Sequence, residues 1–345
     1  MKKSTLVTLV ILLGLVIASV FVYKTKNKPS TLNTNASEFS VKDTASVDKI
    51  FLADKEGKNI TLTKRDGEWY LDDDHKARKD GINYLLTTMN SVSVKAPVSK
   101  LSRENVIKTM AARSTKVEIY SKGEKIKQYY VGHTTQDHAG TYMILTNLET
   151  DENYEEPFIT YIRGFEGFLN TRYHTNFLDW RDRSVIDYTP PQLKEIKVEL
   201  NEMRDSSFVI QLQNASSFIV KNYAGSSLNY SEEKLKQYIA YFQNINCEAF
   251  LEQKEHLSDS LSKGGIPFVT LTVTDKNGKK NVCELYHKQT EIAQKIEYKK
   301  NYKYDPDRIY IKYNDGKDFA IAQYYVFGKL LQTYRYFLAD NTVKK

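Results

Sequence analysis

The chain has 345 residues, of which 41% are hydrophobic and 12% aromatic, enough apolar material for one large core or two ordinary ones. Its formal net charge is +7, but the first 28 residues hold five of the lysines and no acid, which leaves +2 on the rest. A nucleic-acid-binding domain needs a strong basic excess, so the sequence predicts no nucleic-acid partner. Proline is scarce, at 7 residues, and most of the chain is therefore expected to fold.

The N-terminal segment contains an uncharged apolar run at residues 5–22, with lysines on both sides. As a helix this run would be roughly 27 Å long, close to the hydrocarbon thickness of a bilayer. A cleavable signal peptide with Val16 and Ala18 at its cleavage site is the alternative. The run continues through Val22, which favours an uncleaved signal-anchor. There is no cysteine near this segment, which excludes a lipoprotein anchor.

An N-terminal Lys-Lys start before an apolar run is the usual export signal, and long domains are translocated largely regardless of their charge. The sequence therefore predicts a single-pass protein of the inner (cytoplasmic) membrane, held there by residues 5–22. The bulk of the chain is expected on the extracytoplasmic, periplasmic side.

The first half of the remaining chain alternates strand and helix patterns. Turn sequences with glycine at 55–58, 65–68 and 121–124 separate short alternating apolar segments, as in β-hairpins. Ile82, Leu85, Leu86 and Met89 form the i, i+3, i+4, i+7 stripe of an amphipathic helix. In chain order the sequence predicts strands at 47–71, a helix at 76–94, a hairpin at 115–132, a strand at 140–146 and a helix at 161–173.

The second half repeats this order. Ser231, followed by two glutamates, is a typical helix N-terminus. In chain order the sequence predicts strands from residue 193, a helix at 231–245, a hairpin at 267–288, strands at 307–323 and a closing helix at 324–337.

This recurrence predicts a tandem duplication of one module. The fold class expected from the pattern is α+β, with an N-terminal transmembrane helix followed by two tandem-repeated modules of antiparallel sheet plus helices. The predicted boundaries are a signal-anchor with basic flanks at 1–28, a tether at 29–40, a first module at 41–178, a linker at 179–192, a second module at 193–340 and a tail at 341–345.

Three segments carry a resemblance to a known family: VKDTASVDKIFLADKEGKNITLTKRDGEWYL (41–71), TTQDHAGTY (134–142) and FLDWRDRSVIDY (177–188). The chain resembles the uncharacterised DUF4340 family of membrane-anchored bacterial envelope proteins over most of its length after the anchor. The resemblance implies one N-terminal membrane span, an extracytoplasmic repeat region and no assigned activity. Some relatives resemble auxiliary subunits of ABC-type transporters linked to gliding motility.

The segment VGHTTQDHAGTY (131–142) brings His133, Gln136, Asp137 and His138 together. Two histidines and an aspartate suggest a metal or proton-transfer site. However, the histidines are five residues apart between two strands, and neither a glutamate nor a cysteine lies close by. The interpretation favoured is a β-connection in which Asp and Thr side chains bind backbone groups while Gly132 and Gly140 supply unusual dihedral angles. Such a loop can still form a contact surface.

The sequence DWRDR (179–183) lies between the predicted modules. Arg181 and Arg183 are candidates for binding a carboxylate or phosphate anion in a bidentate manner. The structural alternative, which we favour, makes Trp180 a buried inter-domain contact and pairs both arginines locally. Cys247 and Cys283 either form a disulfide or remain two buried thiols, and the sequence leaves both alternatives open.

No phosphate-binding glycine loop, Gly-x-Ser-x-Gly elbow or recognisable Cys/His pair is present, so the sequence predicts a protein that is not an enzyme and needs no cofactor. The function expected is that of a membrane-anchored binding or scaffold protein. It would be an accessory component of an envelope assembly for transport, secretion or motility, with envelope proteins as partners. The alternative is a periplasmic binder or enzyme acting on an anionic small molecule or glycan in the inter-module groove.

Overall fold

The structure is a computed structural model that describes residues 37–214, 217–251, 265–290 and 302–339. The expected membrane span at 5–22, the tether up to residue 36 and the tail at 341–345 lie outside the described residues. The chain divides into two compact units, Met1–Trp180 (unit 1) and Arg181–Lys345 (unit 2).

Unit 1 is built on one antiparallel sheet of nine strands in the order β4-β3-β2-β1-β6-β7-β8-β9-β5. The strands are β1 (Val47–Ala53), β2 (Asn59–Arg65), β3 (Glu68–Leu71), β4 (His75–Lys76), β5 (Val92–Pro97), β6 (Thr115–Ser121), β7 (Glu124–Thr134), β8 (Thr141–Leu145) and β9 (Phe158–Ile162). Its described helices are α1 (Lys79–Ser91), α2 (Lys100–Ala112) and the single turn α3 (Phe177–Trp180).

Unit 2 contains an antiparallel sheet of eight strands in the order β13-β12-β11-β16-β17-β18-β19-β15, and a separate pair formed by β10 and β14. The strands are β10 (Ser184–Ile186), β11 (Leu193–Leu200), β12 (Phe208–Leu212), β13 (Phe218–Asn222), β14 (Ile245–Asn246), β15 (Ala249–Phe250), β16 (Val269–Asp275), β17 (Lys280–Gln289), β18 (Tyr304–Tyr313) and β19 (Asp318–Gln323). Its described helices are α4 (Glu232–Ala240) and the single turn α5 (Tyr324–Phe327).

The two sheets share one strand order. Apart from β4 in unit 1 and the separate β10–β14 pair in unit 2, each sheet is built in the same way: three consecutive strands precede a helix, a later strand joins the far edge, and four further strands complete the sheet. The register agrees as well as the order, since corresponding fully buried residues face each other across the strands. One such set is Ile50, Leu62 and Ile119 in unit 1, matched by Ile196, Ile210 and Val273 in unit 2.

Helix α1 packs on the sheet of unit 1 through the apolar stripe predicted from the sequence. Ile82, Leu85 and Met89 are buried in the same core as Ile50 and Leu62. Helix α2 was not expected from the sequence. It buries only Val106 and Met110, which pack in a small second cluster, and Ser99 caps its start by accepting a hydrogen bond from the Ser102 N–H. With so narrow an apolar stripe, α2 has no clear helical period in the sequence.

The expected fold class, α+β behind a transmembrane helix, is wrong for the residues that the structure describes. They are mostly β, in two large antiparallel sheets. Residues 161–173 are not a helix, because Gly164 and Gly167 adopt positive φ angles of 74° and 148° there. The closing helix expected at 324–337 is one α turn followed by 3₁₀ turns. None of the described helices is both long and apolar enough to cross a membrane.

The tether expected at 29–40 ends earlier than the sequence suggests. Phe39 is 1% exposed and packs edge-on against the rings of Tyr129 and Phe158 in the core of unit 1. An aromatic ring at this depth belongs to the folded unit, which therefore begins at or before Phe39.

The two cysteines of unit 2 are free and buried, so the structure has thiols and not a disulfide. Burial raises the pKa of the Cys247 thiol to about 11 and raises the pKa of Cys283 as well. Since only the thiolate reacts, about one Cys247 side chain in a thousand is reactive at pH 8.

We expect the native protein to react very slowly with Ellman's reagent at pH 8, and the rate to rise about tenfold per pH unit towards pH 10. Unfolding in guanidinium without reductant should release both thiols promptly. If Ellman's reagent detects no thiol in the unfolded, unreduced protein, the two cysteines are disulfide-bonded and the buried-thiol description is wrong.

Candidate functional site

The loop between β7 and β8 is held together by its own backbone and side chains. The Thr135 N–H donates to the Gly140 carbonyl at 2.9 Å, and the His138 N–H donates to the Thr135 carbonyl at 3.0 Å. Asp137 Oδ1 accepts from the Ala139 N–H at 3.1 Å. Hydrogen bonds from the Thr135 hydroxyl and then from the Ala139 N–H lower the pKa of Asp137. Asp137 therefore acts as a turn acceptor, while Gln136 beside it is exposed.

The glycines of this loop serve close packing, which corrects the expectation of unusual dihedral angles. The residue with a left-handed backbone is His138, at φ 56°, whereas Gly132 and Gly140 have no positive φ. A Cβ at Gly132 would lie 2.7 Å from Met110 Cγ, and a Cβ at Gly140 would lie 2.5 Å from Ile159 Cγ2. Both positions need a residue without a side chain because neighbouring side chains occupy that space.

The two histidines of the loop each pack against a different aromatic ring. His133 contacts Tyr142 at a centroid distance of 4.9 Å, and burial lowers its pKa, which favours the neutral imidazole. His138 lies on the surface against Phe168 at 5.4 Å. Among the described residues, no group of three His, Cys, Asp or Glu side chains is arranged to hold a metal ion.

Trp180 belongs to the core of unit 1, where it is 2% exposed. Its indole Nε1 donates to the His174 carbonyl at 2.8 Å, and its ring stacks on the His174 imidazole at 4.8 Å. The Trp180 carbonyl accepts from the Arg78 N–H at 2.8 Å. These contacts involve the indole ring, the indole N–H and the backbone carbonyl of Trp180. Trp180 therefore fixes the end of unit 1.

Arg181 and Arg183 lie in unit 2, where each contributes to local structure. The Arg181 guanidinium binds Asp318 Oδ2 at 2.8 Å and lies 4.3 Å from the centre of the Phe250 ring. The Arg183 carbonyl accepts from the Cys247 N–H at 2.9 Å. Because Arg181 and Asp318 are both largely buried, Arg181 is already paired and is a structural cation.

His287 in β17 lies at the centre of a cluster of aromatic and polar side chains that the sequence analysis did not predict. Phe268 and Tyr304 stack on opposite faces of its ring, each with a centroid distance of 4.1 Å and nearly parallel planes. His287 Nε2 is 3.1 Å from Glu202 Oε1, and its Nδ1 is 3.5 Å from the Tyr324 hydroxyl. Burial raises the pKa of Tyr324, so this hydroxyl stays protonated.

The order of the strands explains how this cluster forms. Strands β16, β17 and β18 are neighbours, so residues at the same end of each strand meet side by side. The Phe268 N–H donates to the Leu285 carbonyl at 2.9 Å, which places its ring one strand away from His287. Tyr324 follows β19 directly.

Large side chains that adjoin members of this cluster in the sequence are open to solvent. Tyr325 is 93% exposed, Ile266 78% and Met203 57%, and each lies within two residues of a member of the cluster. The His287 surface is defined here as the cluster with its exposed neighbours: Glu202, Met203, Ile266, Phe268, His287, Tyr302, Tyr304, Tyr324 and Tyr325.

One sequence signal points to the position of His287. Val131 in β7 and Leu285 in β17 occupy the same place in the matched sheets, facing Thr115 and Val269 respectively. A histidine follows each of them by two residues. The stacking partners lie too far away along the chain for any local pattern to predict them.

Comparison with known proteins gives no further assignment, because no protein-family model, no curated protein and no solved structure matches the chain.

We expect Gly140→Ala to destabilise the protein by about 1–3 kcal/mol, because the added methyl overlaps Ile159 and approaches the Thr160 carbonyl. Chemical denaturation measures the loss. Gly328→Ala is the matched control, since nothing lies within 4 Å of its added methyl and its φ is −57°. Equal stabilities of the two variants would contradict the packing role of Gly140.

We expect Arg181→Met to cost about 3–5 kcal/mol of unfolding free energy, because it leaves the buried Asp318 carboxylate without its cation. Lys58→Met is the control, since the Lys58–Glu56 pair is exposed and its loss should cost less than about 1 kcal/mol. A cost below about 1 kcal/mol for Arg181→Met would show that the Asp318 pair is not structural and would return Arg181 to the candidates for anion binding.

Proposed function

We propose that the protein is a binding or scaffold protein of the bacterial cell envelope. Residues 5–22 hold it at the inner membrane, and its two units contact partner proteins on the extracytoplasmic side. The apolar run with lysine flanks and the resemblance to membrane-anchored envelope proteins support this location. The proposed role is that of an accessory component in a transport, secretion or motility assembly.

The observation that carries the binding role is the His287 surface of unit 2. Tyr325 and Ile266 expose most of their side chains, although burying such apolar area stabilises a complex by roughly 25 cal/mol per Å². Tyrosine, phenylalanine and methionine are enriched in the buried centres of protein interfaces. Clustered exposure of these residue types marks a contact surface, whereas scattered single residues do not.

The stacked rings of the His287 surface are already ordered without a partner. Phe268, His287 and Tyr304 hold one another face to face, and Glu202 fixes one nitrogen of the imidazole. Side chains that are ordered in advance lose little rotamer entropy in a complex, which improves affinity for a given area. The site is therefore suited to a preformed apolar patch of a partner protein.

Charged groups at the margin provide orientation. Glu202 is 62% exposed at the side chain, and the Lys303 ammonium lies 4.8 Å from the centre of the Tyr304 ring. One acid and one base beside an aromatic centre favour a partner with the opposite arrangement of charges and affect association rate more than affinity.

We expect a photo-cross-linking phenylalanine analogue at position 325 to capture a specific membrane or envelope protein in intact cells. The same analogue at position 101 is the matched control, because Leu101 is 98% exposed but lies on helix α2 of unit 1. Mass spectrometry identifies the captured protein. The purified partner should then bind the Tyr325→Ser, Ile266→Ser variant at least about tenfold more weakly than the wild type, and bind Leu101→Ser unchanged.

Three results would contradict the proposal. Equal capture at positions 101 and 325 would remove the His287 surface as the docking site. Capture of only cytoplasmic proteins would overturn the extracytoplasmic location. Unchanged affinity of the double serine variant for the purified partner would show that the exposed side chains do not contribute to binding.

A further inference from the structure

Unit 2 contains a cavity of about 200 Å³ between helix α4 and the first strands of its sheet. Its walls are apolar: Leu193 from β11, Leu212 from β12, Phe218 from β13 and Ile239 from α4. Leu193 and Ile239 are buried, at 0% and 2% exposure, so these walls are part of the core. The cavity is separate from the His287 surface, with which it shares no residue.

The size of the cavity limits what it can hold. Apolar cavities of about 150 Å³ are known to bind benzene. A single aromatic ring or a short branched carbon chain therefore fits.

Two lysines also line the cavity, and no acid is among its described lining residues. Lys276 follows β16 directly, and its N–H donates to the Gln192 carbonyl at 2.9 Å, which fixes the base of this side chain beside Leu193. Lys236 lies on α4 one turn before Ile239 and pairs with Glu232 at 2.6 Å. That pair is half exposed, so exchanging the glutamate for another carboxylate costs little.

The matched strand position in unit 1 carries a larger ring. Leu212 and Phe218 face each other across β12 and β13, just as Lys64 and Trp69 face each other across β2 and β3. Trp69 packs against the core of unit 1, and the Lys64 ammonium donates to the Ala45 carbonyl at 3.2 Å. The smaller Phe218 and the apolar Leu212 are thus two differences between the units at this position.

We propose that this cavity binds a small apolar carboxylic acid, with its ring or branched chain between Phe218 and Ile239 and its carboxylate at Lys236 and Lys276. The apolar body gains burial, and the carboxylate gains charge-assisted hydrogen bonds from two ammonium groups. A neutral molecule of the same shape gains only the first contribution, and a cation is repelled by both lysines. This ligand site does not depend on the proposed scaffold role.

Calorimetric titration of the full-length protein in lipid nanodiscs with sodium phenylacetate tests the proposal. We expect saturable binding of phenylacetate, with the neutral analogue phenylacetamide at least about tenfold weaker and benzylamine not bound. Empty nanodiscs provide the blank for partition into lipid.

Variants locate the site. Phe218→Trp copies the ring of unit 1 and should weaken phenylacetate binding at least about tenfold, while a thermal melt checks that the fold is kept. If this variant does not fold, Leu212→Phe fills the same space from the opposite wall. Lys276→Gln should weaken phenylacetate but not phenylacetamide. Lys122→Gln, the lysine that follows β6 as Lys276 follows β16, should change neither affinity.

The proposal is overturned if phenylacetate does not bind at millimolar concentration, or if phenylacetate and phenylacetamide bind equally. Full affinity in a folded Phe218→Trp or Leu212→Phe variant would also overturn it. Loss of cross-linking at position 325 with phenylacetate binding intact would remove the proposed scaffold role and leave the ligand site standing.

Discussion

Strand register is the constraint on which the rest of this structure depends. In β1 Ile50 and Leu52 are buried, and Ile50 faces Leu62 on one side and Ile119 on the other. A shift of one residue would turn the whole buried set of a strand towards solvent. The core, the covering helix α1 and the loops at the strand ends all follow from this pairing. In unit 2 the same constraint fixes Ile196 against Ile210 and Val273.

The proposed binding features lie where this regular pairing stops. Phe268, His287 and Tyr304 come from the ends of three adjacent strands. The cavity likewise lies where β12 and β13 pass beneath α4. A rigid sheet supports both, so their geometry is set by backbone hydrogen bonds that no ligand has to form.

The sequence predicts those elements whose pattern is local. Alternating apolar residues identify most strands, glycine turns identify the hairpins, and the stripe at Ile82, Leu85 and Met89 identifies α1. Helix α2 escapes prediction because it buries too little, and residues 161–173 show a helical spacing that two glycines interrupt. The loop at Asp137 is correctly interpreted as a self-bonded turn, although the role of its glycines is not. The cluster around His287 cannot be predicted from a local sequence pattern, because Glu202 lies 85 residues away from His287 along the chain.

Because the two sheets share one strand order, matched positions in the two units can be compared directly. Two scaffolds with one register differ at Trp69 and Phe218, so the effect of a single ring can be compared within one polypeptide under identical conditions. Residues of the same type at matched positions in both units indicate what the sheet requires in order to form. Residues that differ, such as Trp69 and Phe218, show where the two units have diverged on the same sheet.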